Sequence, residues 1–138
     1  MSREPAVELA LPARPESLTI VRQALSGLSE VGGWSAPFLT DLKIAVSEAC
    51  SNVVVHAYPD GMDGMLTVMM TVEGDHLVVL VQDHGVGIAP HITSSSAGLG
   101  LGLPLIAALT NEVRVRSADD GHTEVTMIFT VPGNGDER

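Results

Sequence analysis

The chain has 138 residues, the length of one domain, and 45% of them are hydrophobic, which allows a core without disulfides and argues against intrinsic disorder. Only 3% are aromatic, so the core must be aliphatic, and no aromatic platform exists for stacking nucleobases. Seven Lys and Arg against 17 Asp and Glu give a formal net charge of −10, which argues against nucleic acid or an anionic membrane as partner. Residues 44–113 contain no Lys or Arg.

The cellular location is predicted from two features. Residues 1–17 contain no apolar run long enough for a signal peptide or a membrane span. Cys50 is the only cysteine, which suits a reducing compartment, and its apolar neighbours predict a small buried hydrophobe rather than a reactive thiol. We therefore expect a cytoplasmic protein. The chain should form one domain over residues 1–138, with a frayed tail at 133–138.

The first part of the chain predicts one strand and two helices. Alternation over residues 7–11, ended by a proline, predicts a short edge strand. Apolar residues at spacings of three and four predict a helix over 15–31, closed by two glycines. A second helix is predicted from about Ser35 to Tyr58, where the sequence Pro-Asp-Gly stops it.

The apolar period then changes to two, which is typical of strands. Strands are predicted over 65–72, 76–83, 113–117 and 123–131. The Gly- and Ser-rich residues 84–102 predict a loop, and residues 103–109 predict a short helix. Hairpins with helices clustered between them predict an α+β fold, a two-layer sandwich in which helices cover one face of a mixed, mostly antiparallel sheet.

The second predicted helix carries an unexpected pair of polar residues. Its core stripe consists of Leu42, Val46, Ala49 and Val53. Glu48 and Asn52 stand at i and i+4 on another side, within an otherwise apolar run. They could belong to the solvated face of an amphipathic helix. Alternatively, they could form a metal–phosphate site, because an amide oxygen can bind Mg²⁺ and a nearby carboxylate can activate a nucleophile.

Asp83 ends the apolar face of a strand, so its side chain should point into the layer between sheet and helices. A carboxylate there can accept a hydrogen bond from an exocyclic amine such as that of adenine. Gly85 and Gly87 follow directly and would leave room for a ligand beside the backbone, although an ordinary turn would look the same. Thr123 shares the apolar face of the last strand, either as a ligand-facing hydroxyl or as a β-favouring residue.

Gly98, Gly100 and Gly102 precede the predicted short helix. Exposed N–H groups at such a helix start can bind an anion, whereas the alternative interpretation is a flexible hinge. The segment has no Gly-Lys-Ser/Thr, which excludes a Walker-type NTPase. It does not directly follow a strand within a parallel βαβ unit, which excludes a Rossmann fingerprint.

Taken in order, these segments resemble the GHKL ATPase and kinase superfamily, which includes gyrase-type ATPases, Hsp90 and histidine kinases. The matching motifs are an N-box, Glu48-x-x-x-Asn52, and two glycine boxes, Asp83-x-Gly85-x-Gly87 and Gly98-x-Gly100-x-Gly102. The continuation His56-Ala57-Tyr58 resembles the anti-sigma-factor serine kinases of bacterial stress-response and sporulation switches.

The resemblance implies a Bergerat-type ATP-binding fold that uses ATP and Mg²⁺. It implies that Glu48 acts as general base and Asn52 binds Mg²⁺, and that Asp83 reads the adenine amino group. Thr123 falls where the family keeps a hydroxyl near this aspartate. The remaining nucleotide contacts implied by the family are Gly85, Gly87, Ile88, Gly98, Gly100 and Gly102.

The resemblance also implies partners. Such domains are usually homodimers that hold a sigma factor away from RNA polymerase and phosphorylate a STAS-fold anti-anti-sigma protein. Two alternatives stay open, and the first follows from the segment 88–97, a short lid without the Arg often found there. One is a nucleotide-dependent binding module with weak or no kinase activity, and the other is a detached histidine-kinase catalytic domain. Because residues 44–113 lack cations, the triphosphate should be neutralised by Mg²⁺, backbone N–H groups and a helix N-terminus.

Overall fold

The structure is a computed structural model that describes residues 5–58, 63–84, 102–117 and 122–132, with the backbone alone at Gly102. Within these ranges, none of the helices combines the length and the apolar character that a membrane span requires. The helices and strands form an α+β fold, as the sequence predicts.

The described residues contain nine elements, which follow one another in chain order. They are strand β1 (Val7–Pro12), helices α1 (Ser17–Gly32) and α2 (Ala36–Asn52), a π-helical turn (Val53–Ala57), strands β2 (Met65–Glu73) and β3 (His76–Asp83), helix α3 (Gly102–Leu109), and strands β4 (Glu112–Ser117) and β5 (Thr123–Thr130). The strands agree with the predicted segments to within one residue at either end. Helix α2 packs against both α1 and α3, and the helices and the sheet form two layers.

The sheet has the strand order β1-β2-β3-β5-β4, and all four of its described pairings are antiparallel. β1 lies at one edge, as predicted. In the centre, Leu66 of β2 pairs with Asp83 of β3, and Gln82 of β3 pairs with Glu124 of β5. Continuing this register by one step brings Asp83 beside Thr123, so both side chains belong to the same end of the sheet.

The core lies between the inner face of the sheet and the helices. Alternate residues of β3 (Leu77, Val79 and Val81) are buried, whereas the residues between them are half-buried. At one end of the core, Trp34, Phe38 and Phe129 make edge-to-face contacts with ring centroids 5.5 and 6.4 Å apart. The core is otherwise aliphatic, as the composition requires.

The start of helix α2 and its buried face agree with the prediction from its sequence. The hydroxyl of Ser35 accepts a hydrogen bond from the Phe38 N–H at 3.3 Å and caps the first turn, in which a proline is tolerated. The predicted stripe is fully buried at Leu42, Val46 and Ala49. One face of α2 therefore contributes to the core, and the polar residues Glu48 and Asn52 belong to a separate part of the helix.

The end of α2 differs from the prediction of a continuous helix to Tyr58. The α-helix ends at Asn52, and residues Val53–Ala57 form a single π-helical turn. A π-turn holds an additional residue, so every side chain after it is rotated relative to a continued α-helix. Consecutive β-branched valines favour this departure because they crowd the preceding turn of an α-helix. Tyr58 then leaves the turn in extended conformation, with φ −126° and ψ 133°.

Cys50 is fully buried, as its apolar neighbours predict, and burial raises the pKa of its thiol to about 12. At pH 8 only about one molecule in ten thousand then carries the reactive thiolate. We expect an aromatic disulfide reagent to leave the native protein unlabelled at pH 8 and to label it fully in urea, as followed by absorbance. Rapid labelling of the native protein would contradict this burial.

Candidate functional site

Three buried polar side chains lie where the helical layer meets one end of the sheet. Asn52, the last residue of α2, is 7% exposed, Asp83 at the end of β3 is 0% exposed, and Thr123 at the start of β5 is 1% exposed. Asp83 and Thr123 are on the inner face, as predicted from the strand alternation. Because burying polar groups costs free energy unless they find partners, their shared location marks this end of the core as specialised.

Tyr58 connects the end of α2 to the end of β3. Its hydroxyl accepts hydrogen bonds from the N–H groups of His84 (3.0 Å) and Met65 (3.2 Å), and it donates to the Met65 carbonyl (2.6 Å). The segment that leaves α2 after Asn52 is thereby fixed to the residue that follows Asp83. From the sequence, Tyr58 is predicted only as the end of the second helix and as part of the motif resemblance. The available signal for this bridging role is a tyrosine at the end of an apolar helix with a glycine nearby in the chain.

Glu48 lies one helical turn before Asn52 and is half-buried. It borders an open groove of about 330 Å³ between α1 and α2, whose other lining residues are Arg22, Lys43, Ile44 and Ser47. The Nε of Arg22 donates a hydrogen bond to the Ser47 hydroxyl at 2.9 Å. A carboxylate in this position is accessible from outside the molecule, so a hydroxyl group presented by another protein could reach it.

The remaining predicted residues fall into two groups. Gly102 is the first residue of α3, a helix that packs against α2 and buries Ile106 in the core. This arrangement agrees with the predicted glycine-led helix start. The other predicted nucleotide contacts lie outside the described residues, and they are Gly85, Gly87, Ile88, Gly98 and Gly100.

The donor atoms available for a metal are few. Across the described ranges, no cluster of three or more His, Cys, Asp or Glu side chains could hold a metal ion. Asn52 and Glu48 supply an amide oxygen and a carboxylate one turn apart on α2, which are donor types that Mg²⁺ accepts. This donor set fits a cation that takes most of its ligands from phosphate oxygens and water, rather than a cation enclosed by protein.

A second polar group occupies the outer face at the same end of the sheet. The His84 and His122 rings have centroids 5.7 Å apart, and His122 Nε2 is 3.9 Å from Glu124 Oε2. The Gln82 amide donates to the same carboxylate oxygen at 2.7 Å. His84 is exposed. Because Gln82 and Glu124 alternate with the buried Asp83, this group lies on the opposite face from the candidate site.

A larger groove, of about 430 Å³, lies at the other end of the sheet. Apolar side chains dominate its lining, including Leu28, Val31, Trp34 and Val72, and Asp75 adds a carboxylate. Among the described residues its lining contains no Lys, Arg, Asn or Gln side chain, so it suits a triphosphate less well than the polar end of the sheet does. The side chains therefore favour the end of the sheet with Asn52, Asp83 and Thr123 as the functional site.

Sequence comparison places these observations in a family. The profile of the histidine kinase-like ATPase domain matches residues 11–129. The serine-protein kinase RsbW of Bacillus subtilis is 36% identical over 94% of this chain and 87% of its own length. RsbW of Bacillus licheniformis is 39% identical over 85% of this chain and 81% of its own length, and RsbW of Listeria monocytogenes is 38% identical over 79% and 78%.

Solved structures show the same fold. The RsbU and RsbW domains of a Mycobacterium tuberculosis protein superpose with a TM-score of 0.70 at 24% identity, covering 92% of this chain and 33% of that one. The histidine kinase domain of the Escherichia coli osmosensor EnvZ gives 0.50 at 17% identity, covering 96% and 93%. The fold, the profile match and the RsbW relatives confirm the resemblance drawn from the ordered motifs, and the chain belongs to the histidine kinase-like ATPase domain family.

Proposed function

We propose that the protein is an anti-sigma factor and an ATP-dependent serine/threonine-protein kinase, which sequesters a sigma factor and phosphorylates a STAS-type anti-anti-sigma protein. The observation that carries the proposal is the placement of Glu48, at an open groove and one turn before the buried Asn52. Relatives named serine-protein kinase RsbW, at 36–39% identity, support the same activity. The proposed location is the cytoplasm.

In this proposal the nucleotide base lies at the inner end of β3 and β5. The buried carboxylate of Asp83 accepts a hydrogen bond from the adenine 6-amino group, and the buried hydroxyl of Thr123 lies beside it. A hydrogen bond to a buried charged group discriminates strongly, because a base with a carbonyl in place of the amine would face the carboxylate without donating a proton. These two residues would therefore select adenine.

Phosphoryl transfer would take place beside α2. Glu48 accepts the proton of the acceptor Ser or Thr hydroxyl while the hydroxyl oxygen bonds to the γ-phosphorus. The bond between the γ-phosphorus and the oxygen that bridges to the β-phosphate breaks, which releases ADP. The side-chain oxygen of Asn52 would hold Mg²⁺, which neutralises phosphate charge when bound. Arg22 and Lys43 line the same groove as Glu48, where the segment carrying the acceptor hydroxyl would enter.

The proposed homodimer has one candidate surface in the described residues. The outer face of the sheet carries half-buried apolar side chains on its central strands at Met69, Val78, Leu80 and Ile128. A second copy of the chain could cover this face while leaving the site on the inner, helical side accessible. Neither nucleic acid nor a membrane is proposed as partner, given the net charge of −10.

The activity is tested by incubating the protein with γ-labelled ATP, Mg²⁺ and candidate STAS proteins. We expect acid-stable label on a Ser or Thr of the STAS protein. Label on His alone would instead indicate a histidine-kinase catalytic domain. Nucleotide binding without any transfer would indicate a binding module, and either result would contradict the kinase proposal.

The role of Glu48 is tested with the isosteric variant Glu48→Gln. We expect the transfer rate to fall by roughly a hundredfold or more because the general base is lost. ATP affinity, measured by calorimetry, should change less than the transfer rate. Glu30→Gln, an exposed carboxylate on α1, is the matched control and should behave as the wild type. Unchanged transfer by Glu48→Gln would remove this residue from the catalytic step.

The contribution of Mg²⁺ is tested by measuring ATP affinity with and without excess EDTA. Since residues 44–113 supply no Lys or Arg, we expect affinity to fall by about tenfold or more when the cation is chelated. The variant Asn52→Ala should lose most of this dependence on Mg²⁺. Equally tight ATP binding by the wild type in EDTA would show that other groups neutralise the phosphates.

A further inference from the structure

The hydroxyl of Tyr58 replaces the backbone hydrogen bonds that would extend the β2–β3 pairing by one more residue pair. The last backbone pair of this ladder joins Leu66 to Asp83, and the next step would join Met65 to His84. Instead, the Tyr58 oxygen accepts from both of these N–H groups and donates its proton to the Met65 carbonyl. One side chain thus uses its full hydrogen-bonding capacity to link the two strands where they separate.

The ring of Tyr58 is held in place from two sides. It is half-buried against the core on one side. On the other it lies directly over Gly64, where a Cβ atom would be 2.2–2.3 Å from three ring atoms. The Gly64 carbonyl accepts a hydrogen bond from the Ala13 N–H at 2.8 Å, so the backbone under the ring is itself attached to the chain leaving β1. Any side chain at position 64 would displace the ring.

The π-helical turn directs Tyr58 toward this position. Val53 and Ala57, four residues apart, are both buried by the wider turn, and Tyr58 follows immediately in extended conformation. A continued α-helix would carry Tyr58 to a different side of the axis, because each additional residue rotates the following side chains by about 100°. The turn therefore determines where the hydroxyl is placed.

We propose that Tyr58 is a positioning residue of the nucleotide site, which fixes Asp83 relative to the α2 residues Glu48 and Asn52. The hydroxyl holds the backbone N–H directly after Asp83, while the Tyr58 backbone continues directly from α2 through the π-turn. The inference deepens the proposed function in its ATP-binding part. A misplaced Asp83 would weaken recognition of the adenine amine, whereas contacts to the triphosphate would be retained.

The proposal is tested by comparing ATP with inosine triphosphate, which differs by a 6-oxo group in place of the 6-amine. Tyr58→Phe keeps the ring and removes three hydrogen bonds. We expect ATP affinity to fall by about tenfold and inosine triphosphate affinity by less than about twofold. The ratio of ATP affinity to inosine triphosphate affinity should therefore decrease. Equal losses for both nucleotides, or no loss, would overturn the proposal.

Ser17→Ala is the matched control. It removes another buried hydroxyl, which donates to the Pro12 carbonyl at 2.6 Å at the start of α1. A hydroxyl that only stabilises the fold would lower the melting temperature without changing the ratio of the two affinities. We expect a lower melting temperature with an unchanged affinity ratio for Ser17→Ala, and a decreased affinity ratio for Tyr58→Phe alone. A decreased ratio in both variants would contradict a specific role for Tyr58.

Amide hydrogen exchange tests the inference without nucleotide or partner. In the wild type, the His84 amide should be protected although it lies beyond the strand ladder, and Tyr58→Phe should accelerate its exchange by about tenfold. Amides at the centre of β3 should be unaffected. An unprotected His84 amide in the wild type would overturn the inference, even if the variant failed to fold. Because neither measurement uses a partner protein, failure to label a partner would overturn the proposed function and not this inference.

Discussion

The main physical constraint on the structure is that an otherwise aliphatic core must hold three buried polar side chains at one end. Asn52, Asp83 and Thr123 all lie in this end, although most of the surrounding buried residues are aliphatic. Polar burial of this kind reduces a net stability that amounts to only about 5–15 kcal/mol in a typical domain. The aliphatic core and the antiparallel sheet must therefore supply enough free energy to keep these groups fixed, and a fixed polar site is what selective binding requires.

The charge distribution gives the same region its electrostatic character. The chain is strongly acidic, and its segment 44–113 carries the predicted base, the predicted metal ligand and Asp83 without one cation. A polyanionic ligand in such a region needs a bound cation such as Mg²⁺ to neutralise its charge. The amide of Asn52 and the carboxylate of Glu48 are donor types that this cation accepts. Arg22 and Lys43 line the same groove between α1 and α2 as Glu48, and they are cations close to the predicted base.

Much of this arrangement could be predicted from the sequence because it follows from simple periodicities. A period of two fixes which face of β3 is buried, and that alone places Asp83 in the inner layer. The i and i+4 spacing likewise places Glu48 and Asn52 along the same side of α2. The ordered glycine motifs then identified the family, which the profile and the RsbW relatives confirm.

The π-turn and the bridging tyrosine could not be predicted in this way. The apolar residues Val53–Ala57 satisfy an α-helical pattern as well as a π-helical one, so periodicity does not distinguish them. The hydroxyl of Tyr58 meets groups that are distant in sequence, and its position depends on the sheet register as well as on Gly64. Such contacts belong to tertiary structure, and no local pattern encodes them.

The central claim is that the nucleotide binds between the end of α2 and the ends of β3 and β5. It is tested most directly by titrating the isotope-labelled protein with Mg²⁺ and a non-hydrolysable ATP analogue and following the amide resonances. The account predicts that the largest changes occur at Asn52, Asp83 and Thr123. Changes centred instead on the groove at the other end of the sheet, around Trp34 and Gly74, would contradict it.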